Sequence, residues 1–157
     1  MKFVADCMLG KLAKWLKILG FDVLYFRRIE DEELVALAAK EGRTLLTRDT
    51  RLVHKTKRLQ HLSIISNRWE EQVVQVLAVF RLWDKIQPHS RCLDCNQLLK
   101  PLSREEARNL ATPFVLEKSN SLAICPACGR VFWKGTHYSD MEAKISEILG
   151  KRASAEQ

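Results

Sequence analysis

The chain has 157 residues with 46% hydrophobic and 29% charged content, and its 26 Lys and Arg against 19 Asp and Glu give a net charge of +7. This length suits one full domain, or a compact domain plus a small module that needs its own staple. No apolar run approaches the roughly 18 residues of a membrane span, so a helical membrane anchor is excluded, and the positive balance points to a polyanionic partner or to a plain basic surface.

The start, "MKFVADCMLG", carries an apolar run too short for a signal peptide and broken by Asp6, so a soluble cytoplasmic protein is expected. The five cysteines fall as one single and two C-x-x-C pairs. That arrangement favours metal in a reducing compartment over a disulfide framework.

From Lys2 to about Trp83 short apolar runs alternate with helical patterns, the pattern of a parallel α/β sheet wrapped by helices. "KFVA" reads as a first strand, and "LGKLAKWLKILG" as a helix with Leu9, Leu12, Ala13, Leu16 and Leu19 on one stripe and Gly20 at its end. "DVLYF" gives a second strand, "EDEELVALAAKEG" a second helix, and "RTLLT" a third strand followed by a short basic helix. "LSIIS", Leu62 to Ser66, gives the fourth strand, and a long helix capped by Asn67 closes a first domain over residues 1–87. A second module is expected over 91–150, with capping boxes at Ser103 to Glu106 and Ser139 to Glu142. The tail, 151–157, offers nothing to bury and reads as mobile.

In an open parallel sheet the functional crevice lies beyond the carboxyl ends of the strands. Asp6, Asp31 and Asp49 follow the first, second and third strands, and right-handed crossovers would bring all three to one edge. Like charges so close repel, so a hard cation such as Mg²⁺ or Mn²⁺ is their natural neutraliser. Such an ion could polarise a phosphodiester and activate water. Lys11, Lys14, Arg48, Arg51, Lys55, Lys57 and Arg58 surround this edge as phosphate contacts. Bland readings compete: Asp31 or Asp49 could be helix caps, Glu32 is a reserve ligand, and Cys7 reads as a small core residue.

Cys92, Cys95, Cys125 and Cys128 have the C-x₂-C…C-x₂-C spacing of a tetrahedral zinc site. Four thiolates leave no open position, so the zinc would be structural, with a redox pair as the competing reading. After the second knuckle, "RVFWKGTHY" interleaves Trp133, Lys134 and His137 with further aromatics and Arg130. Such a stretch can stack bases and hold phosphates, or simply cover the metal site.

Together, "FVADCMLGKLAKWLKILGFDV", "DEELVALAAKEGRTLLTRDTRL", "SRCLDCNQLL" and "CPACGRVFWKGTH" resemble the mut-seven C-terminal RNase family over roughly Lys2 to Leu149. The resemblance implies a PIN-like nuclease fold joined to a zinc ribbon, and a metal-dependent ribonuclease whose acids match Asp6, Asp31 and Asp49. Many PIN-like nucleases use a fourth acid, and Asn67 stands where one would be sought. The resulting expectation is a Mg²⁺- or Mn²⁺-dependent enzyme cutting single-stranded RNA endonucleolytically. The alternative is a noncatalytic RNA-binding adaptor.

Overall fold

In the computed structural model, which describes residues 1–56, 59–119 and 121–155 and their side chains apart from those of Lys55, Thr136 and His137, the first half of the chain forms the expected parallel sheet. Its strands are β1 (Lys2–Ala5), β2 (Asp22–Tyr25), β3 (Thr44–Thr47) and β4 (His61–Ser63). They lie in the order β2-β1-β3-β4, every pair parallel. The central strands β1 and β3 are covered on both faces, which is why they read as unbroken apolar runs. Alternate side chains divide between two cores: Phe3, Ala5 and Leu46 face one, Val4 and Leu45 the other.

Helices α1 (Gly10–Ile18) and α4 (Trp69–Val79) cover the first face with Leu12, Leu16, Val73, Val76 and Leu77. Helices α2 (Asp31–Glu41) and α3 (Thr50–Lys55) cover the second with Leu34, Ala38 and Leu52. The fourth strand runs His61–Ser63, three residues short of the expected end at Ser66, although the Ile64 N–H still reaches Thr47 O at 2.7 Å. Asn67 does not cap α4. The N-cap is Arg68, which makes no side-chain cap bond, and its own N–H is taken by Ser66 Oγ at 3.0 Å in the turn leading into the helix.

The second module is an antiparallel sheet of β5 (Lys100–Leu102), β6 (Leu122–Ile124) and β7 (Val131–Trp133), with α5 (Arg104–Ala107) and α6 (Pro113–Lys118) inserted between β5 and β6. The Ser103 capping box forms as read from the sequence. The last long helix, α7 (Thr136–Gly150), opens from an extended Gly135 rather than at Ser139, its first turn closed by the Tyr138 N–H on Gly135 O at 3.0 Å. Ile145 and Ile148 of α7 enter the same core as Leu77 and Leu82.

The segment expected to be a mobile tail continues as α8 (Arg152–Ala155), held where Ala155 packs on that core and Arg152 clamps Asp84 with bonds of 2.7 and 3.0 Å. Its anchor is supplied by Asp84, 68 residues earlier in the chain, which no local pattern could reveal.

Candidate active site and metal centre

Because β1 is flanked by β2 on one side and β3 on the other, the chain reverses its winding between β1 and β3. Crevices for ligands open at such switch points, beyond the strands' carboxyl ends. Asp6 stands there directly after β1, with its N–H extending the ladder to Leu46 O at 3.0 Å. Its carboxylate is 5% exposed. One oxygen accepts the Met8 N–H at 2.8 Å; the other accepts the Arg48 N–H at 3.0 Å and a short bond from the Thr47 hydroxyl. Thr47 Oγ1 in turn accepts the Asp49 N–H at 2.9 Å. One buried hydroxyl therefore ties two candidate acids together.

Asp49 caps α3, its Oδ1 accepting the Arg51 N–H at 2.7 Å, and Arg51 Nε lies 3.6 Å away. The Arg51 N–H foremost, and the neighbouring cation with it, hold this carboxyl below the usual carboxylate range. Asp31 begins α2 just past β2, half-buried; it is the first helical residue and Glu30 is the N-cap, so the cap role does not belong to Asp31.

The donor set is all hard oxygen, the chemistry Mg²⁺ and Mn²⁺ select. A carboxylate offers about four lone-pair sites, and Asp6 uses three within the protein. Mg²⁺ commonly takes only one or two carboxylates and completes its shell with water and phosphate oxygens, so the residues fit the ion as an open site. They do not form a closed cage: among the described residues, the one group of three or more ligating side chains with all donor atoms within 4.8 Å of each other is the cysteine quartet.

Cations frame the edge. Lys11 and Arg51 are exposed, Arg48 is half-buried, and Lys14 is exposed further along α1. The Lys11 ammonium sits 5.4 Å from the Trp69 ring, which stacks on Trp15 at 4.5 Å. The side chain of Lys55, and Lys57 and Arg58 altogether, lie outside the described residues. Cys7 is exposed rather than a core residue.

The two cysteine pairs are built alike. In the first, the Asn96 N–H bonds Cys92 O and the Cys92 N–H bonds Gln97 O; in the second, the Gly129 N–H bonds Cys125 O and the Cys125 N–H bonds Arg130 O, all at 2.9 Å. Asn96 (φ 61°) and Gly129 (φ 71°) occupy the same left-handed position, which Gly and Asn tolerate best. Cys92 Sγ and Cys128 Sγ are 3.8 Å apart. Tetrahedral thiolates and soft donors make this set a fit for zinc. Without metal, burial pushes the Cys92 thiol up, and the Cys128 thiol beside it drives Cys95 up to about 12. Burial opposes ionisation of Cys125 too, but the Cys128 and Ala127 N–H groups outweigh it and lower this thiol to about 7.

The first knuckle is bolted to the sheet. Asn96 Oδ1 accepts the Val23 N–H of β2 at 3.0 Å, and its amide donates to Asp22 at 2.8 Å. Asp22 also receives Arg43 at 2.5 Å, Arg91 donates to Gly20 O and Asn96 O, and Lys17 to Leu93 O. Burial alone would raise Asp22, but bonds from Arg43 and Asn96 and the charges of Arg43 and Arg91 bring it net below its ordinary value. Burial lowers Lys17. Gly20 permits the hinge to cross, since a Cβ there would sit 2.3 Å from Gln87 O.

All these contacts lie at the start of β2 and the end of α1, the edge opposite Asp6. The expected RNA-binding residues accordingly separate: Lys11, Arg48 and Arg51 flank the acids, while Trp133 and Lys134 face Ile18 across the far end of α1. The side chain of His137 lies outside the described residues. Thr47 and Asn96 were not singled out from sequence. A hydroxyl two residues before Asp49, and an Asn directly after a C-x-x-C pair, were the available hints.

The chain matches the family described as the Mut7-C RNAse domain over residues 1–145. No curated protein and no solved structure matches it.

Proposed function

As the chain belongs to the Mut7-C RNAse domain family, we propose that it is a metal-dependent ribonuclease, cleaving single-stranded RNA endonucleolytically with Asp6, Asp31 and Asp49 as the acids that would hold Mg²⁺ or Mn²⁺. The observation that supports this most is the Asp6, Thr47, Asp49 chain of hydrogen bonds at the switch point of the sheet. Three donors lock the Asp6 carboxylate against rotation, and Thr47 sets its spacing from Asp49. Such preorganisation removes reorganisation cost at the moment of reaction. A bound divalent ion would supply Lewis-acid polarisation of the phosphate and a more acidic water. Lys11, Lys14, Arg48 and Arg51 would hold the flanking phosphates as positioning contacts.

Cys92, Cys95, Cys125 and Cys128 would carry a structural zinc, closed to substrate, and their free thiols suit a reducing compartment such as the cytoplasm. A second reading, a noncatalytic RNA-binding adaptor, is favoured by the three acceptor sites Asp6 already commits inside the protein. The deciding experiment incubates zinc-loaded protein with labelled single-stranded RNA, with and without Mn²⁺, beside Asp49→Asn. Mn²⁺-dependent cleavage falling on the order of 100-fold in the variant is expected, the scale of losing one group that stabilises transition-state charge. Equal cleavage by both proteins removes the site assignment, and binding without cleavage by either establishes the adaptor.

A further inference from the structure

A cavity of about 380 Å³ opens between β7, the hinge before the first knuckle, and the start of α7, with Ile18 of α1 among its walls. That volume is in the range of small-ligand sites. Its character comes from His89, Arg91, Phe132, Trp133, Lys134 and Tyr138, and no aspartate or glutamate lines it among the described residues. Aromatic rings beside Arg91 and Lys134, with no carboxylate in the described lining, select a ligand that is flat and anionic at once. We propose that this cavity binds one nucleoside phosphate unit of single-stranded RNA, its base on the rings and its phosphate toward Arg91 and Lys134. The choice of RNA as its source rests on the ribonuclease reading.

The walls are set before any ligand arrives. Arg91 is fixed by Nε on Gly20 O at 2.9 Å and Nη1 on Asn96 O at 2.7 Å, leaving Nη2 with no bond among the described residues. Phe114 meets the Trp133 ring edge-on at 6.0 Å, and the indole lies so close to Gly135 that a Cβ there would come within 3.0 Å of it. Tyr138 packs on His89 at 4.6 Å, with the Lys134 ammonium 5.0 Å from its centroid, and Glu142 holds His89 Nε2 at 2.9 Å. Side chains locked this way lose little entropy on binding. An acyl chain would fill the volume but leave Arg91 and Lys134 facing hydrocarbon.

The nine residues of α1 separate this cavity from the acids, about 13 Å at 1.5 Å per residue. The bound unit is therefore not the one being cut but one further along the strand. Its contribution is to hold long substrates in place, so it should matter only for oligonucleotides long enough to reach both ends of α1.

The test measures anisotropy of labelled single-stranded RNA on the full, zinc-loaded chain without added Mg²⁺ or Mn²⁺. Trp133→Ala should weaken binding about 5-fold or more, the loss of one base–aromatic stack, Trp133→Phe should restore most of it, and exposed Lys134→Ala should weaken it with the fold intact. Adenosine and uridine monophosphates should compete: competition as strong as that of an oligomer assigns the site to free nucleotide, weaker competition to the strand. Unchanged RNA affinity in Trp133→Ala and Lys134→Ala, or a fatty acid binding there with no effect on RNA, overturns the proposal. Cleavage assays on the same proteins separate the two readings. Trp133-dependent binding without cleavage leaves the cavity standing and the ribonuclease reading fallen; Asp49-dependent cleavage with Trp133-independent binding, at every substrate length, does the reverse.

Discussion

The cysteine quartet and the pair Asp6 and Asp49 are each held together by the fold, but by different means. Each half of the quartet is a short local loop, written twice with the same backbone bonds and closed to within 4.8 Å of ligand spacing. Asp6 and Asp49, from the ends of β1 and β3, are brought together across a crossover and are linked through a threonine rather than directly. A structural metal rewards a finished tetrahedron, since its binding energy is folding energy. A site that must admit a phosphate and water has reason to remain open.

The sharpest way to break this contrast is to deny the four thiols the metal they are built to hold. Because Asn96, Arg91 and Lys17 tie the first knuckle to β2 and α1, chelation or Cys128→Ser should lower stability of the whole chain by at least about 3 kcal/mol, a fall of roughly 6–12 °C in Tm. Hydrogen exchange at the Val23 amide should rise with it. If Val23 stays protected in the metal-free protein, the ribbon is an independent appendage.

Thr47→Val keeps the volume of a fully buried side chain but leaves Asp6 without one of its donors. A loss of about 1–3 kcal/mol is expected, with reduced cleavage at unchanged zinc content and recovery in Thr47→Ser. Full activity in Thr47→Val would show that the two acids need no coupling.

On the ribbon's side of the comparison, Asn96→Gly keeps the left-handed turn and deletes the bonds to Val23 and Asp22. We expect about 1–2 kcal/mol of lost stability with full metal content by elemental analysis. The Asp22 carboxyl titrates below its ordinary value in the folded chain, so its share of stability is present above the unfolded carboxylate pKa near 3.9 and disappears as pH falls through the lower, folded value. Acid unfolding of Asn96→Gly should therefore begin at higher pH than in the parent, as circular dichroism can read.

The smallest effect belongs to the inserted helices, which serve neither site directly. Ser103→Ala removes the capping box of α5 and should cost about 1 kcal/mol without altering metal content or RNA cleavage. A change in either would tie the insertion to the ribbon's chemistry.

Much of the first sheet could be read from period and punctuation. The alternation of Phe3, Val4 and Ala5 between two cores, the stripe of Leu12 and Leu16, and Gly42 ending α2 at φ 61° are short-range features that survive in any surroundings. The zinc-type knuckles were legible for the same reason, as each is decided within six residues, Cys92 to Gln97 and Cys125 to Arg130. Where the reading missed, the deciding partner was remote. The α8 segment had no visible reason to fold because Asp84 holds it from 68 residues away. Asn67 is the exception and missed the cap for a local reason, since the turn bonded to Ser66 Oγ starts the helix one residue later, after Arg68.

From the sequence alone came most element types, the succession of a parallel α/β sheet and a ribbon, and the four clustered thiols, because hydrophobic period and ligand spacing are local quantities. The tertiary structure alone decided that Thr47 joins Asp6 to Asp49, that Asn96 fastens the ribbon to β2, and that the ribbon stands at the end of α1 away from the acids. Those facts depend on how crossovers and hydrogen bonds close over 41 to 74 residues of chain, distances at which packing, rather than any neighbour in sequence, chooses the partner.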